Sequence, residues 1–143
     1  MPNLSADDRV LVPALAALGL RAEAVVWDQP DVPPGVTAVV IRSCWDYHLR
    51  IDEFFSWLSR LERRGVRVLN PPPLIRWNAD KHYLLDLSSR GVATVPTRVI
   101  RKGERGRLAG VLAEAGFEEA VVKPAVSASA HATWRTSRAL AHH

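Results

Sequence analysis

The feature that most constrains this chain is an apolar run, Val36-Thr37-Ala38-Val39-Val40-Ile41, followed by a helical pattern and then a second short apolar run. A near-continuous series of β-branched residues suits a strand buried on both faces. Beyond it, Ile51, Phe54, Phe55, Leu58 and Leu61 recur at helical spacing to about Arg64, and Gly65 offers a stop. Val66-Arg67-Val68-Leu69 reads as the next strand. Strands that alternate with helices predict an α/β fold with a parallel or mostly parallel sheet.

The same alternation extends in both directions. Ser5-Ala6-Asp7-Asp8 reads as a helix start, with Ser5 as the cap and the two acids at the positive end of the helix dipole. Leu11, Leu15 and Leu18 give that helix an apolar face, Gly19 ends it, and Pro13 is expected to kink or shorten it. Residues 22–27 form a short strand candidate, and residues 31–35 a loop. The run Pro71-Pro72-Pro73 is expected to stop the 66–69 strand and to mark a domain boundary. A helix is expected over 79–89, capped by Asn78 and ended by Gly91. A strand follows over 95–100, a helix over 108–115, and a strand over 120–124 that runs into a small-residue loop, 125–132.

Composition narrows the function classes. No stretch approaches the roughly 20 apolar residues that span a bilayer, so no membrane partner is expected. The lone Cys44 excludes an internal disulfide framework and suits a reducing cytoplasm. The net charge of +4 raises nucleic-acid binding as a class. However, the basic residues are interleaved with acids, and the densest group, Arg60, Arg63, Arg64 and Arg67, reads as a solvated helix face. Arginine so outnumbers lysine that Lys81, Lys102 and Lys123 stand out, an ammonium being a compact point charge where guanidinium is a planar fork.

Ligands of parallel sheets bind at the carboxyl ends of strands, which directs attention to residues 42–47, Asn70 and residues 123–129. The loop Arg42-Ser43-Cys44-Trp45-Asp46-Tyr47 holds a cation, two hydroxyls, a carboxylate and an indole, and fits equally a binding site or a self-stabilised loop. Lys81, in Trp77-Asn78-Ala79-Asp80-Lys81, lies near a helix start, where it either faces an anion or is a surface lysine. Lys123 ends an apolar strand, and the following Ala125-Val126-Ser127-Ala128-Ser129-Ala130 can bring N–H groups and hydroxyls close to phosphate oxygens. It carries no glycine and is not a P-loop, and no dinucleotide fingerprint occurs. His48, His82 and His131 lack metal-ligand spacing, Cys44 has no base beside it, and the five tryptophans read as packing residues. His142 and His143 are expected to be terminal and unstructured.

Taken in order, these segments resemble a bacterial ATP-grasp ligase subfamily related to glutathione synthetases, which includes the cyclo-ligase of D-cycloserine biosynthesis. The resemblance rests on Leu4-Ser5-Ala6-Asp7-Asp8, Val26-Trp27-Asp28, Ile41 to Tyr47, Leu69-Asn70-Pro71, Trp77 to Lys81, Val95-Pro96-Thr97 and Val122-Lys123-Pro124. It implies a Rossmann-like pre-ATP-grasp domain over 1–73 and the start of an ATP-grasp domain over 74–143. It implies ATP as cofactor, with Lys81, Lys123, Ser127, Ser129 and Thr133 around its phosphates. Arg42, Ser43, Trp45, Asp46 and Tyr47 would face a small amino-acid-like carboxylate substrate. Mg²⁺ is implied too, with its carboxylate ligands outside this sequence, so the chain alone is expected not to ligate. The family commonly begins one strand earlier and has threonine where Cys44 stands. The alternatives to a ligase portion are a non-catalytic nucleotide- or nucleic-acid-binding α/β module and a gene remnant without function.

Overall fold

The computed structural model describes residues 4–29, 32–103 and 108–142, His142 by its backbone alone. Residues 1–3, Asp31 of the expected 31–35 loop, and His143 therefore lie outside the described residues. The chain divides into two compact units, Met1–Arg76 and Trp77–His143.

The first unit holds α1 (Ala6–Ala17), β1 (Ala38–Val40), α2 (Ile51–Arg63), β2 (Arg67–Leu69) and most of α3 (Pro72–Ala79). β1 and β2 pair in parallel, Val39 opposite Val68, and α2 is the crossover that parallel strands require. Its apolar stripe explains why it packs: Phe54, Trp57, Leu58 and Leu61 are buried, joined by Trp27, Val32, Val39 and Ile41. Aromatic rings knit this core, with Trp27 edge-on to Phe54 at 5.3 Å and Phe54 stacked on Trp57 at 5.8 Å.

Each long-pattern helix stops where a glycine lets the backbone turn left-handed. After α2, Gly65 sits at φ 69°, its N–H reaching Glu62 O, while Val66 N–H reaches Leu61 O. This pair of bonds satisfies carbonyls that the helix end would leave open. The same pair closes the helices before Gly19, Gly91 and Gly116.

The second unit contains α4 (Tyr83–Ser89), α5 (Leu108–Glu114), β3 (Glu119–Val122) and β4 (Trp134–Ser137). β3 and β4 pair antiparallel, Val122 opposite Trp134, around the small-residue loop. Ala109 and Leu112 of α5 are buried.

Several sequence expectations are corrected. Residues 22–27 and 95–100 form no strand: among the described residues neither run pairs in a ladder, and a strand exists only as half of one. β1 buries Val39 but leaves Val40 48% exposed, so it is covered on one face rather than both. The described strands form one parallel and one antiparallel pair, not a mostly parallel sheet. The 66–69 strand does end before the proline run, and the run then opens α3, because a proline in the first helical turn has no N–H that needs a partner. Asn78 accordingly lies within α3, and α4 begins only at Tyr83, preceded by His82. Pro13 is accommodated inside α1 without ending it.

Leu58 is completely buried. Leu58→Ala should lower unfolding stability by about 2–5 kcal/mol, the range for large-to-small core changes. A shift in the urea midpoint at constant slope would show it.

Candidate functional site

At the carboxyl end of the parallel pair, three side chains converge on one carboxylate. Asp8, in the first turn of α1 and only 8% exposed, is the one buried residue of that helix. Its Oδ1 accepts from Arg42 Nε at 2.6 Å. Its Oδ2 accepts from Ser43 Oγ at 2.6 Å and from Ser5 Oγ at 2.7 Å. Ser5 also caps α1, its hydroxyl accepting the Asp8 N–H. Hydrogen bonds from Ser43, Ser5 and Arg42 hold the Asp8 carboxyl down from the usual 3.8 to about 2. Close by, Asn70 follows β2 at φ 63° and donates its side-chain N–H to Ile41 O at 2.9 Å. Asn70 is one of the few residue types that adopts that conformation readily.

The rest of the 42–47 loop turns towards the core. Asp46 accepts the Trp27 indole N–H at 2.8 Å, which holds its carboxyl below the usual range. Arg50 lies 4.6 Å above the Trp27 ring and pairs with Asp28 and Asp46. Tyr47 packs 5.4 Å from Phe54. Cys44 is half-buried against the same cluster, and burial, then the Asp46 charge, push its thiol up to about 11. Such a thiol is protonated at neutral pH and is a poor nucleophile. Trp45 is 64% exposed. Of the sequence candidates here, Arg42 and Ser43 share one partner, Asp46 and Tyr47 serve the core, and Trp45 stands apart. Asp8 is the residue that sequence reasoning missed as a site residue. In sequence it carries only the signature of a helix start.

The second unit brings together groups more than 40 residues apart in sequence. Lys81 lies in the turn before α4, where Asp80 bridges Val126 and Lys81 N–H donates to Ala125 O at 2.9 Å. The Lys81 ammonium donates to Ser127 Oγ at 2.8 Å, Ser127 O at 2.9 Å and Ala125 O at 3.3 Å. Ser127 Oγ in turn donates to Pro124 O. Partial burial, then the charge of Lys123, lower the proton affinity of Lys81. Lys123 is exposed, and neither lysine has a carboxylate ion pair among the described residues. Further along the loop, Ser129, Ala130 and Ala132 hold positive φ angles of 51°, 57° and 47°. The Thr133 hydroxyl donates to His131 O. The structure thus joins Lys81 to Ser127, with Lys123 on the strand that leads into the same loop, and among the described residues no hydrogen bond runs from Ser129 or Thr133 to either lysine. Among the described residues no three His, Cys, Asp or Glu side chains are grouped to hold a metal ion, and no helix is long and apolar enough to cross a membrane.

These features describe a mixed α/β chain with a carboxylate-clamped arginine in one unit and a lysine-lined hairpin in the other. Comparison with known proteins gives that class a particular relative. Residues 1–70 match the family described as D-cycloserine synthetase DcsG, N-terminal domain. The chain is 35% identical over 136 residues to the cycloserine biosynthesis protein DcsG of Streptomyces lavendulae, covering 92% of this chain and 45% of that protein. It also matches the crystal structure of D-cycloserine synthetase DcsG with a TM-score of 0.82 at 33% identity, over 95% of this chain and 47% of that one. The similarity is to the N-terminal part of the relative, and the chain spans about half of the relative's length.

Two outcomes follow from this geometry. The ionised Asp8 cluster adds stability above about pH 4, where the unfolded carboxyl is also charged, and loses it as pH falls through about 2. Urea midpoints measured across that window should fall more steeply for the wild type than for Asp8→Asn. Cys44 should react slowly with a thiol reagent at pH 7.5 and promptly once urea unfolds the chain.

Proposed function

We propose that this chain is the N-terminal portion of an ATP-dependent carboxylate ligase of the ATP-grasp type. The single observation that carries the reading is the Lys81 ammonium held on the Ser127 loop, with exposed Lys123 on the segment that leads into that loop and, among the described residues, no ion-paired carboxylate on either lysine. Partial burial, then the charge of Lys123, lower the proton affinity of Lys81, and a bound polyanion would offset that cost.

The residues fit a triphosphate. Lys123 is exposed and can meet phosphate oxygens directly. Lys81 and the Ser127 hydroxyl hold the start of the loop in place. Ser129, Ala130 and Ala132 hold left-handed φ angles, a backbone conformation from which anion-binding concavities are built, with Thr133 next in the loop. ATP, when bound, would supply a phosphoryl group that activates a substrate carboxylate for attack by an amine, releasing ADP and phosphate. Mg²⁺, needed to bridge and neutralise the phosphates, is taken on this reading from carboxylates outside the residues above. The relatives' names, a cycloserine biosynthesis protein and a D-cycloserine synthetase, support a small amino-acid-like substrate, whose carboxylate this reading takes to be activated by ATP in the cytoplasm. Arg42, Ser43, Trp45, Asp46 and Tyr47 supply the loop nearest to a substrate role, with Asp46 and Tyr47 acting through the core.

Lys123→Ala separates binding from folding, since an exposed side chain without partners changes stability by no more than about 0.5 kcal/mol. Mg²⁺-ATP affinity by calorimetry should fall by about tenfold in Lys123→Ala, the worth of one charge-assisted phosphate contact. Lys81→Ala should lose both ATP affinity and hairpin order. Unchanged ATP affinity in both variants would overturn the reading.

A further inference from the structure

The Asp8 cluster leaves Arg42 half-used. A guanidinium has five N–H donors in a planar fork. Only Nε is engaged, by Asp8 at 2.6 Å, and among the described residues the terminal nitrogens carry no hydrogen bond. The Arg42 side chain is 43% exposed while its Asp8 partner is 11% exposed, so the clamp is inside and the free edge is outside. Ser5 and Ser43 fix the second Asp8 oxygen, which leaves the carboxylate no freedom to rotate away. Asn70 pins the carbonyl of Ile41, the residue before Arg42. The whole assembly stands at the carboxyl ends of β1 and β2, where parallel sheets receive ligands.

We propose that the outer edge of Arg42 is a binding site for the carboxylate of a small amino-acid-like ligand, and that Asp8 is the positioning residue that aims it. The ligand class rests on the ligase reading above, while the site itself rests on the geometry. Asp8 already balances the Arg42 charge, so the pair has little net attraction for a multiply charged phosphate. What remains is a planar pair of donors, which matches the two oxygens of a carboxylate in shape as well as in charge. Lysine at this position would keep the ion pair with Asp8 but lose the fork. The long, flexible arginine side chain otherwise loses conformational freedom on binding, and the Asp8 clamp removes that cost before the ligand arrives.

The test uses the 143-residue chain labelled with ¹⁵N in its arginine side chains, with Arg42→Lys assigning the Arg42 signal. Alanine, alaninamide and inorganic phosphate are titrated separately, with no nucleotide present. Alanine should shift the Arg42 Nε–H resonance saturably, and alaninamide and phosphate should not. Arg42→Lys should keep its melting temperature and weaken alanine binding by about tenfold or more, the loss expected when a bidentate contact becomes a point charge. Asp8→Asn, in a sample shown to be folded by its amide spectrum, should weaken alanine binding with the guanidinium still present. A flat alanine titration, an equal response to alaninamide, a stronger response to phosphate, or wild-type alanine affinity in Arg42→Lys would each overturn the proposal. Because no ATP is used, its failure leaves the lysine site untouched. A Lys123 variant with normal ATP affinity likewise leaves the Arg42 site untouched.

Discussion

The first unit is organised around a carboxylate that water barely reaches. Helix α1 buries no apolar side chain fully, and Asp8 alone anchors it at the sheet end. A buried carboxylate is costly unless donors meet its oxygens, and here Ser5, Ser43 and Arg42 supply both oxygens with at least one each. The cap of the helix, the turn after β1 and the direction of the arginine are therefore consequences of one charge being satisfied. Disturbing any donor would be felt by the others, because they share two oxygen atoms.

Beside that polar knot lies an aromatic core of ordinary physics. Phe54, Trp57, Leu58 and Leu61 fill one face of α2 and press on Val39, Ile41 and Trp27. The core also explains why part of the chemistry-rich loop is not available to a ligand. Trp27 draws in Asp46, and Phe54 draws in Tyr47, so two of the polar residues nearest the strand end hold the scaffold. Arg42 escapes that fate because its partner leaves it one-sided.

The second unit solves a different problem. Two lysines are kept near each other, which costs free energy unless hydrogen bonds or an anion offset it. Lys81 is offset by loop oxygens, and Lys123 faces solvent.

Much of this was legible in the sequence. The stripe from Ile51 to Leu61, the glycine stops at 19, 65, 91 and 116, the Ser5 cap and the strand before Lys123 all follow from local rules, since each concerns neighbours within a few residues. Residues 22–27 and 95–100 were misread because an apolar run becomes a strand only when a distant partner accepts its hydrogen bonds, and no local pattern encodes that partner. The proline run follows the end of its strand as the sequence suggested, but its second role was not legible: proline breaks a helix interior but suits its first turn, and only the fold says which it occupies. Chemistry-bearing residues were picked out singly, and their roles were not. Asp8 meets Arg42 across 34 residues and Lys81 meets Ser127 across 46, so these encounters are products of tertiary structure. The sequence alone determined which side chains could carry charge and where helices would end. The tertiary structure decided which charges are buried, which are paired and which remain open, because burial and pairing depend on contacts between segments far apart along the chain.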